Sequence, residues 1–301
     1  MQNHYDYIIL GAGLSGLTIA LRMSQDSFFS SKKIAIIDQD LNKGNDRTWC
    51  FWEIENDLFE QAVSYTWPSV LIKGKGIDQT ISIAPYSYKK VESRDMYAFA
   101  KAKLSQHSNI TFIEGKVTSI QEEAVGVRIR YNEKTIIAAH VLNSIYKPEV
   151  LEKQSQHVVL QQHFIGWFVE TKEAVFNPKV ATYMDFSVPQ KGNCRFMYVL
   201  PTSDKEALLE YTLFSKTLLP KTEYEEAIKE YLNDLGVTDY TITAREQGSI
   251  PMTTYDFTQH NTKRILHIGT AGGWTKASTG YTFKHTVKPV SYTHLTLPTK
   301  A

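Results

Sequence analysis

The sequence predicts an α/β fold in which a nucleotide-binding βαβ unit carries a second, mostly β domain, and three features of its 301 residues predict it. A short apolar run, residues 5–10, meets Gly11-Ala-Gly-Leu-Ser-Gly16 and is followed by a second apolar run that ends on Asp38. At Val158 the rhythm changes, and long strand-like segments replace short ones. Near residue 265 the opening pattern returns, as residues 264–268 feed another glycine-rich turn holding Gly269, Gly272 and Gly273.

Each element has its own justification. Residues 5–10 have the form of a buried parallel strand, apolar throughout and bounded by glycine. In the turn, Gly11 permits the tight bend, Gly13 lets backbone approach a pyrophosphate, and Gly16 allows the next helix to pack closely. Leu14 and Ser15 open that helix, and residues 17–23 continue it at helical spacing. Asp38 ends the next strand about 20 residues on, where an acid accepts ribose hydroxyls. An aromatic loop, residues 46–52, leads to short strands reaching about Pro85. Ser93, read as an N-cap, starts a helix ending at Leu104. Residues 110–114, 116–120, 125–131 and 134–138 read as the strands of a meander.

From Val158 the segments 158–170, 180–186, 195–200 and 207–214 predict an antiparallel sheet. A helix follows over 222–235, with Thr222 and Glu225 forming a capping box and Gly236 stopping it. A strand pair then leads to Arg264, and a helix beginning near Thr279 is expected to break at Pro289. These elements divide the chain into a dinucleotide-binding domain, residues 1–157 with 240–288, and a substrate domain, residues 158–239. Residues 289–301 have neither a helical face nor a cap and resemble translated adapter or vector sequence, so they are expected to be foreign to the protein.

Composition narrows the function classes. With 33 basic and 32 acidic residues the net charge is +1, and no run of one sign offers a footprint for nucleic acid. Cys50 and Cys194 stand far apart with no CxxC spacing, which argues against a disulfide framework or a zinc site and fits a reducing, cytoplasmic setting. His163, His267 and His285 share no metal-ligand spacing and are read as structural. The apolar run at the N-terminus lacks a basic region and is too short for a signal peptide or a membrane span, so any membrane contact is expected to be peripheral.

The two glycine turns decide between cofactors. A simple NAD dehydrogenase has no use for a second turn near residue 270, whereas an extended FAD returning to the same sheet does. The expected architecture is therefore a Rossmann-like FAD-binding domain of glutathione-reductase type, with an antiparallel β-sheet substrate domain.

At this level of detail the chain resembles a family. Asp46-Arg-Thr-Trp49, Gln162-His-Phe-Ile-Gly-Trp167, Met184-Asp-Phe186, Phe196-Met-Tyr-Val-Leu-Pro201, Leu209-Glu-Tyr-Thr212, Gly248-Ser-Ile-Pro-Met252 and Ser278-Thr-Gly-Tyr281 follow the βαβ unit in order. Together they resemble the lycopene β-cyclases, over nearly everything up to His285. The resemblance implies a non-redox isomerisation: an acid protonates a terminal double bond of lycopene, the cation closes a six-membered ring, and proton loss gives a β-ionone end. It also implies reduced FAD, with NAD(P)H as the reductant, where an anionic isoalloxazine stabilises nearby cationic character. Lycopene and related acyclic carotenoids reside in bilayers, so a peripheral enzyme at a membrane surface is implied as well.

Glu210 aligns with the family's essential acid, and the motif's second acid is Tyr211 here. On a strand, Glu210 shares a face with Leu208, Thr212 and Phe214, so burial among apolar neighbours raises its pKa and keeps it protonated. Asp185 is a second candidate polar group near the cation. Arg47 and Arg94 are candidate cations against flavin phosphate or ring. Trp49, Phe51, Trp52, Trp167 and Trp274 are candidates to line a carotenoid tunnel and offer cation–π stabilisation. The competing reading is a flavin monooxygenase or isoprenoid reductase on the same fold, although hydroxylases of that group usually carry Gly-Asp where Gly269-Thr270 stands. An inactive, truncated flavin-binding fragment is the third.

Overall fold

The computed structural model describes residues 4–292. Its first sheet begins with β1 (His4–Leu10), which runs through the glycine turn into α1 (Leu14–Gln25) and returns as β2 (Ile34–Asp38) beside β1 in parallel. Residues 7–10 and 34–37 are apolar on both faces because both faces are covered there. Ile8, Ile9, Leu10, Ile34, Ile36 and Ile37 are fully buried, each worth about 1.5–3 kcal/mol of transfer from water.

A small sheet follows, in which β3 (Thr48–Glu53) and β4 (Val63–Trp67) flank a later strand, β7 (Ser87–Glu92). Between them, β5 (Ser69–Gly74) and β6 (Ile77–Ser82) leave for another sheet altogether. Then come α2 (Ser93–Leu104), β8 (Ile110–Glu114), and the meander β9 (Val117–Glu123), β10 (Gly126–Tyr131) and β11 (Lys134–Asn143). The second half of β11 turns the meander into part of the parallel sheet, pairing with β1 from Ile137 opposite His4 to Asn143 opposite Leu10.

After a single-turn helix, α3 (Glu149–Glu152), the second large sheet is built from β12 (Val159–Thr171), β13 (Val180–Asp185), β14 (Cys194–Pro201) and β15 (Glu206–Ser215). The helix α4 (Lys221–Asp234) covers one face of it, burying Tyr224, Ile228 and Leu232 against Ile165, Trp167, Leu209 and Tyr211. β16 (Tyr240–Thr253) adds at the edge beside β12, giving the order β16-β12-β15-β14-β13-β5-β6. β17 (Ile265–His267) rejoins the first sheet, parallel to β11, and α5 (Phe283–Tyr292) packs on α1 and β3. The first sheet thus has the order β8-β2-β1-β11-β10-β9 with β17 beside β11, a Rossmann-like arrangement.

Several expectations need correction. The second sheet is mixed, because β13 pairs with β5 in parallel, and it recruits residues 69–82 and 240–253, which the sequence boundaries assign to the nucleotide-binding domain. The expected strand pair before Arg264 is one 14-residue strand, β16; as an edge strand it tolerates Gly248 and Pro251 inside it. Ser93 does not cap α2: it is buried, and its Oγ accepts the amides of Asp46 and Arg47 at 2.9 and 3.0 Å, fastening the aromatic loop. The Thr222 capping box does not form, since Pro220 takes the N-cap place and Lys221 already lies in the helix. Gly236 does stop it, at φ +76°. The last helix starts at Phe283 and continues past Pro289 to Tyr292; a proline costs one intrahelical bond without necessarily ending the helix. Most of the segment set apart as a foreign tail, residues 293–301, lies outside the described residues.

Candidate active site

The two glycine turns meet at the N-terminus of α1. Gly11 adopts φ +97°, and its amide donates to the Ile37 carbonyl at 2.7 Å. Gly13 is the N-cap of α1, extended, with no side chain capping the helix and no acid in its first turn. The first-turn amides of Leu14 and Ser15 are thereby left to an anion, at the positive end of the helix dipole. A Cβ at Gly13 would find nothing within 4 Å, whereas one at Gly16 would sit 2.0 Å from the Gly11 carbonyl oxygen. Asp38, almost fully buried, accepts the Ala12 amide at 2.6 Å and pairs with Lys43 at 2.6 Å. The second turn, Gly269–Gly272, is followed by Gly273 at φ +74°. It packs so closely on α1 that a Cβ on Gly269 would lie 2.1 Å from Ser15 Oγ, and one on Gly272 would lie 2.3 Å from the His267 carbonyl.

Both predicted arginines lie on the surface. Arg94 is exposed and pairs with Glu92 and Asp95, its neighbours in sequence. Arg47 is exposed too, donating to the Asp46 carbonyl at 3.3 Å and the Gln247 carbonyl at 3.5 Å.

A cavity of about 300 Å³ opens between the second sheet, β3, and residues 276–285, the segment that follows the second glycine turn. Strand alternation aims the side chains. Leu208 and Glu210 of β15 face the cavity with Tyr198 of β14 and Phe164 of β12, while Leu209, Tyr211 and Leu213 face α4. Trp49, Phe51 and Trp52 line it from β3, whereas Trp167 is buried on the helix-covered face and Trp274 in the core around α1. His285 also lines the cavity; His163 instead bonds Ser215 and Tyr224, and His267 bonds Asn143. Cys50 lines it as a neutral thiol, because burial pushes its pKa far up. Among the described residues no three His, Cys, Asp or Glu side chains are grouped to hold a metal ion.

Glu210 has a partner that sequence reasoning missed. Glu210 on β15 and Glu246 on β16 both stand opposite Gly166 of the intervening β12. With no side chain between them, the two carboxyls reach hydrogen-bonding contact across Gly166, whose Cβ would lie 3.1 Å from Glu246 Cγ and 3.5 Å from Glu210 Cβ. Burial first, and the like charge of Glu246 second, hold the Glu210 carboxyl well above the ordinary range, against a 2.7 Å hydrogen bond from Thr212 Oγ1. Burial raises Glu246 as well, opposed by a 2.7 Å bond from Thr48 Oγ1, by the Glu210 bond and by Lys90. The available signal was its place two residues before Gly248, on the same strand face. Asp185 is not brought to the cavity: fully buried at the end of β13, it accepts Ser187 N and Tyr231 Oη, both at 2.8 Å, and so ties β13 to α4.

Comparison with known proteins sets this geometry in context. A family model described as Lycopene cyclase protein matches residues 6–294. A lycopene beta-cyclase of Pantoea ananas is 28% identical over 261 residues, 84% of this chain and 64% of that protein, so the chain spans less than two thirds of that relative's length. Among solved structures, a geranylgeranyl bacteriochlorophyll reductase-like protein from Thermoplasma acidophilum aligns with a TM-score of 0.71 at 12% identity, over 96% of this chain and 77% of that one. A flavin-dependent brominase aligns at 0.64 and 14% identity, over 96% and 77%. A halogenase PltM mutant in complex with FAD aligns at 0.67 and 12%, over 96% and 68%. At such identities these likenesses establish the fold alone. Because the family match spans nearly the whole length, the chain belongs to the lycopene cyclase family.

Proposed function

We propose that the chain catalyses the non-redox closure of lycopene ends to β-ionone rings, as a flavoprotein lycopene β-cyclase. The single observation that carries this reading is the Glu210 carboxyl, its pKa raised well above the ordinary range by burial and by the neighbouring Glu246, in an aromatic-lined cavity bordered by the segment that leaves the second glycine turn. A general acid working near neutral pH must keep its proton, and burial together with a like charge beside it favours that state of Glu210.

In this reading Glu210 delivers its proton to a terminal alkene carbon. The tertiary cation forms the ring C–C bond, and an adjacent carbon loses a proton to make the ring double bond. Atoms and electrons balance without an oxidant. The cavity is at the low end of the roughly 300–1,000 Å³ of small-ligand sites, a size for one end group rather than a whole polyene. Trp49, Phe51 and Trp52 line it to exclude water and present π-faces to positive charge.

FAD fits the residues present. The uncapped first turn of α1, the open space before Gly13 and the buried Asp38 suit pyrophosphate and ribose, and Gly269, Gly272 and Gly273 border the same place. When bound and reduced, with NAD(P)H as reductant, the flavin supplies negative charge near the cation. The second sheet is proposed to form the carotenoid-binding domain and the first the FAD-binding domain. Among the described residues no helix is long and apolar enough to cross a membrane. We propose that the protein works at the cytoplasmic face of a membrane, drawing substrate from the lipid surface.

Expression of the gene in lycopene-accumulating cells tests the reading. The expected result is conversion to carotenoids with β-ionone rings, seen by chromatography. Oxygenated or reduced acyclic products would point instead to the monooxygenase or reductase chemistry of the shared fold, and unchanged lycopene alongside bound flavin would leave only cofactor binding.

A further inference from the structure

We propose that Glu246 is the positioning partner of Glu210: the two carboxyls share one proton across Gly166, Glu210 holding the proton and Glu246 the negative charge. The proposal rests on Glu210 being the acid of the reaction. It assigns the second acid to a strand that motif spacing does not indicate, since residue 211 points to the opposite face of β15, where Tyr211 Oη lies 3.3 Å from Arg195 beneath α4. No side chain at position 211 can reach the cavity while β15 keeps its register.

The surroundings of the two carboxyls differ in kind. Glu246 accepts the Thr48 hydroxyl at 2.7 Å from β3 and lies near Lys90 of β7, a buried ammonium that also pairs with Glu92 at 2.9 Å. Among the described residues Glu210 accepts from the Thr212 hydroxyl alone, with Leu208, Tyr198 and Cys50 around it. Tyr281, Lys276, Lys284 and His285 complete the cavity from the segment after the second glycine turn. Two carboxylates in contact cannot both ionise without a large penalty, so one proton remains in the pair, and the site with fewer donors keeps it. Gly166 makes the contact geometrically possible, because a Cβ there would also meet Leu208 Cδ1 at 2.9 Å. During a turnover the proton leaves Glu210 for carbon, and the proton lost from the closed ring returns to the pair. The carboxyls therefore end with the one proton they began with.

The test is Glu246→Gln in the FAD-loaded protein, read in two ways. Infrared titration of the protonated carboxyl band, with no substrate present, reports the pair whatever reaction the protein catalyses. The Glu210 component of the band is expected to be lost in Glu210→Gln, and the band to titrate lower by about one pH unit or more in Glu246→Gln, because the like charge is gone. The alkaline limb of the cyclisation rate should move down by the same amount, and Glu246→Asp, which keeps the charge, should restore most of the wild-type midpoint. A band with an unchanged midpoint, or a loss of rate equal at every pH, overturns the proposal. If wild type forms no cyclic product yet the band shifts as described, the shared proton stands and the cyclase reading fails. Should Glu246→Gln not fold, Glu246→Asp together with Gly166→Ala carries the test: separating the carboxyls by a methyl group must lower the midpoint, and an unmoved band overturns the proposal.

Discussion

Gly13 and Gly16, three residues apart in one turn, are expected to fail in opposite ways when each becomes alanine. At Gly16 the new methyl would lie 2.0 Å from the Gly11 carbonyl oxygen and 3.1 Å from Ile9 Cγ2. The nearer obstacle is backbone, held by Gly11 N–H donation to Ile37 and by a left-handed φ, so α1 itself must move off β1. Overpacking of a well-filled core costs about 1–3 kcal/mol, and an overlap against backbone belongs at the upper end. At roughly 2–4 °C per kcal/mol for a chain of this size, Tm should fall by about 6–12 °C. At Gly13 the methyl meets nothing within 4 Å and φ is −91°, so the chain accepts it. A small entropic gain offsets a weaker N-cap, and Tm should stay within about 2 °C. That same methyl fills the space before the first-turn amides, and FAD affinity should drop at least about tenfold, roughly 1.4 kcal/mol. Calorimetry on flavin-stripped protein and titration with FAD by fluorescence read the two effects separately. Wild-type FAD affinity in Gly13→Ala, or wild-type Tm in Gly16→Ala, refutes the reasoning about the turn.

Three further outcomes follow from the second sheet. Both Glu210 and Glu246 bind their protons more tightly in the folded chain than at the ordinary 4.5, so the stability they lend is fully present below about pH 4.5 and is lost as pH rises through their native values. Urea unfolding across pH 4–9 should therefore show wild type weakening towards alkaline pH more steeply than Glu210→Gln, and parallel curves would contradict the raised values. Tyr211→Phe should leave cyclisation within about twofold of wild type and cost about 1 kcal/mol through the lost Arg195 contact; a large loss of turnover would mean that residue 211 reaches the cavity. Asp185→Asn should cost about 1–3 kcal/mol, because one of the donors Tyr231 Oη and Ser187 N then meets an amide NH₂. Its turnover per folded molecule should be unchanged, and a selective loss of turnover would return Asp185 to the chemistry.

What the sequence made legible was local. The strand, glycine turn, helix, strand and Asp38 are fixed by spacing within forty residues, and α2 and β8 end where residues 93–104 and 110–114 were read. Alternation along β15 placed Glu210 and Tyr211 on opposite faces, as the structure has them. What failed was non-local. β5 and β6 join a sheet whose other strands begin about 80 residues later, and nothing in their own pattern names that partner. Glu246 meets Glu210 only because β12 lies between their strands with a glycine in register, a fact of three-strand pairing rather than of any motif. β16 runs through Gly248 and Pro251 as one strand, since a proline is excluded from a sheet interior but not from its edge. The capping readings at Ser93 and Thr222 failed for a related reason. The Ser93 hydroxyl was claimed by amides 46 and 47 residues away in sequence, and Pro220 had already begun its helix.

The central claim is that the proton of Glu210 starts the ring closure. It is tested most directly by the turnover of lycopene in lipid vesicles by Glu210→Gln carrying reduced FAD, beside wild type at the same flavin occupancy. Loss of a positioned general acid should lower the rate by about 10²–10⁴-fold while the flavin spectrum and Tm remain those of wild type. A variant that keeps its flavin and closes rings at the wild-type rate would show that the proton comes from another group.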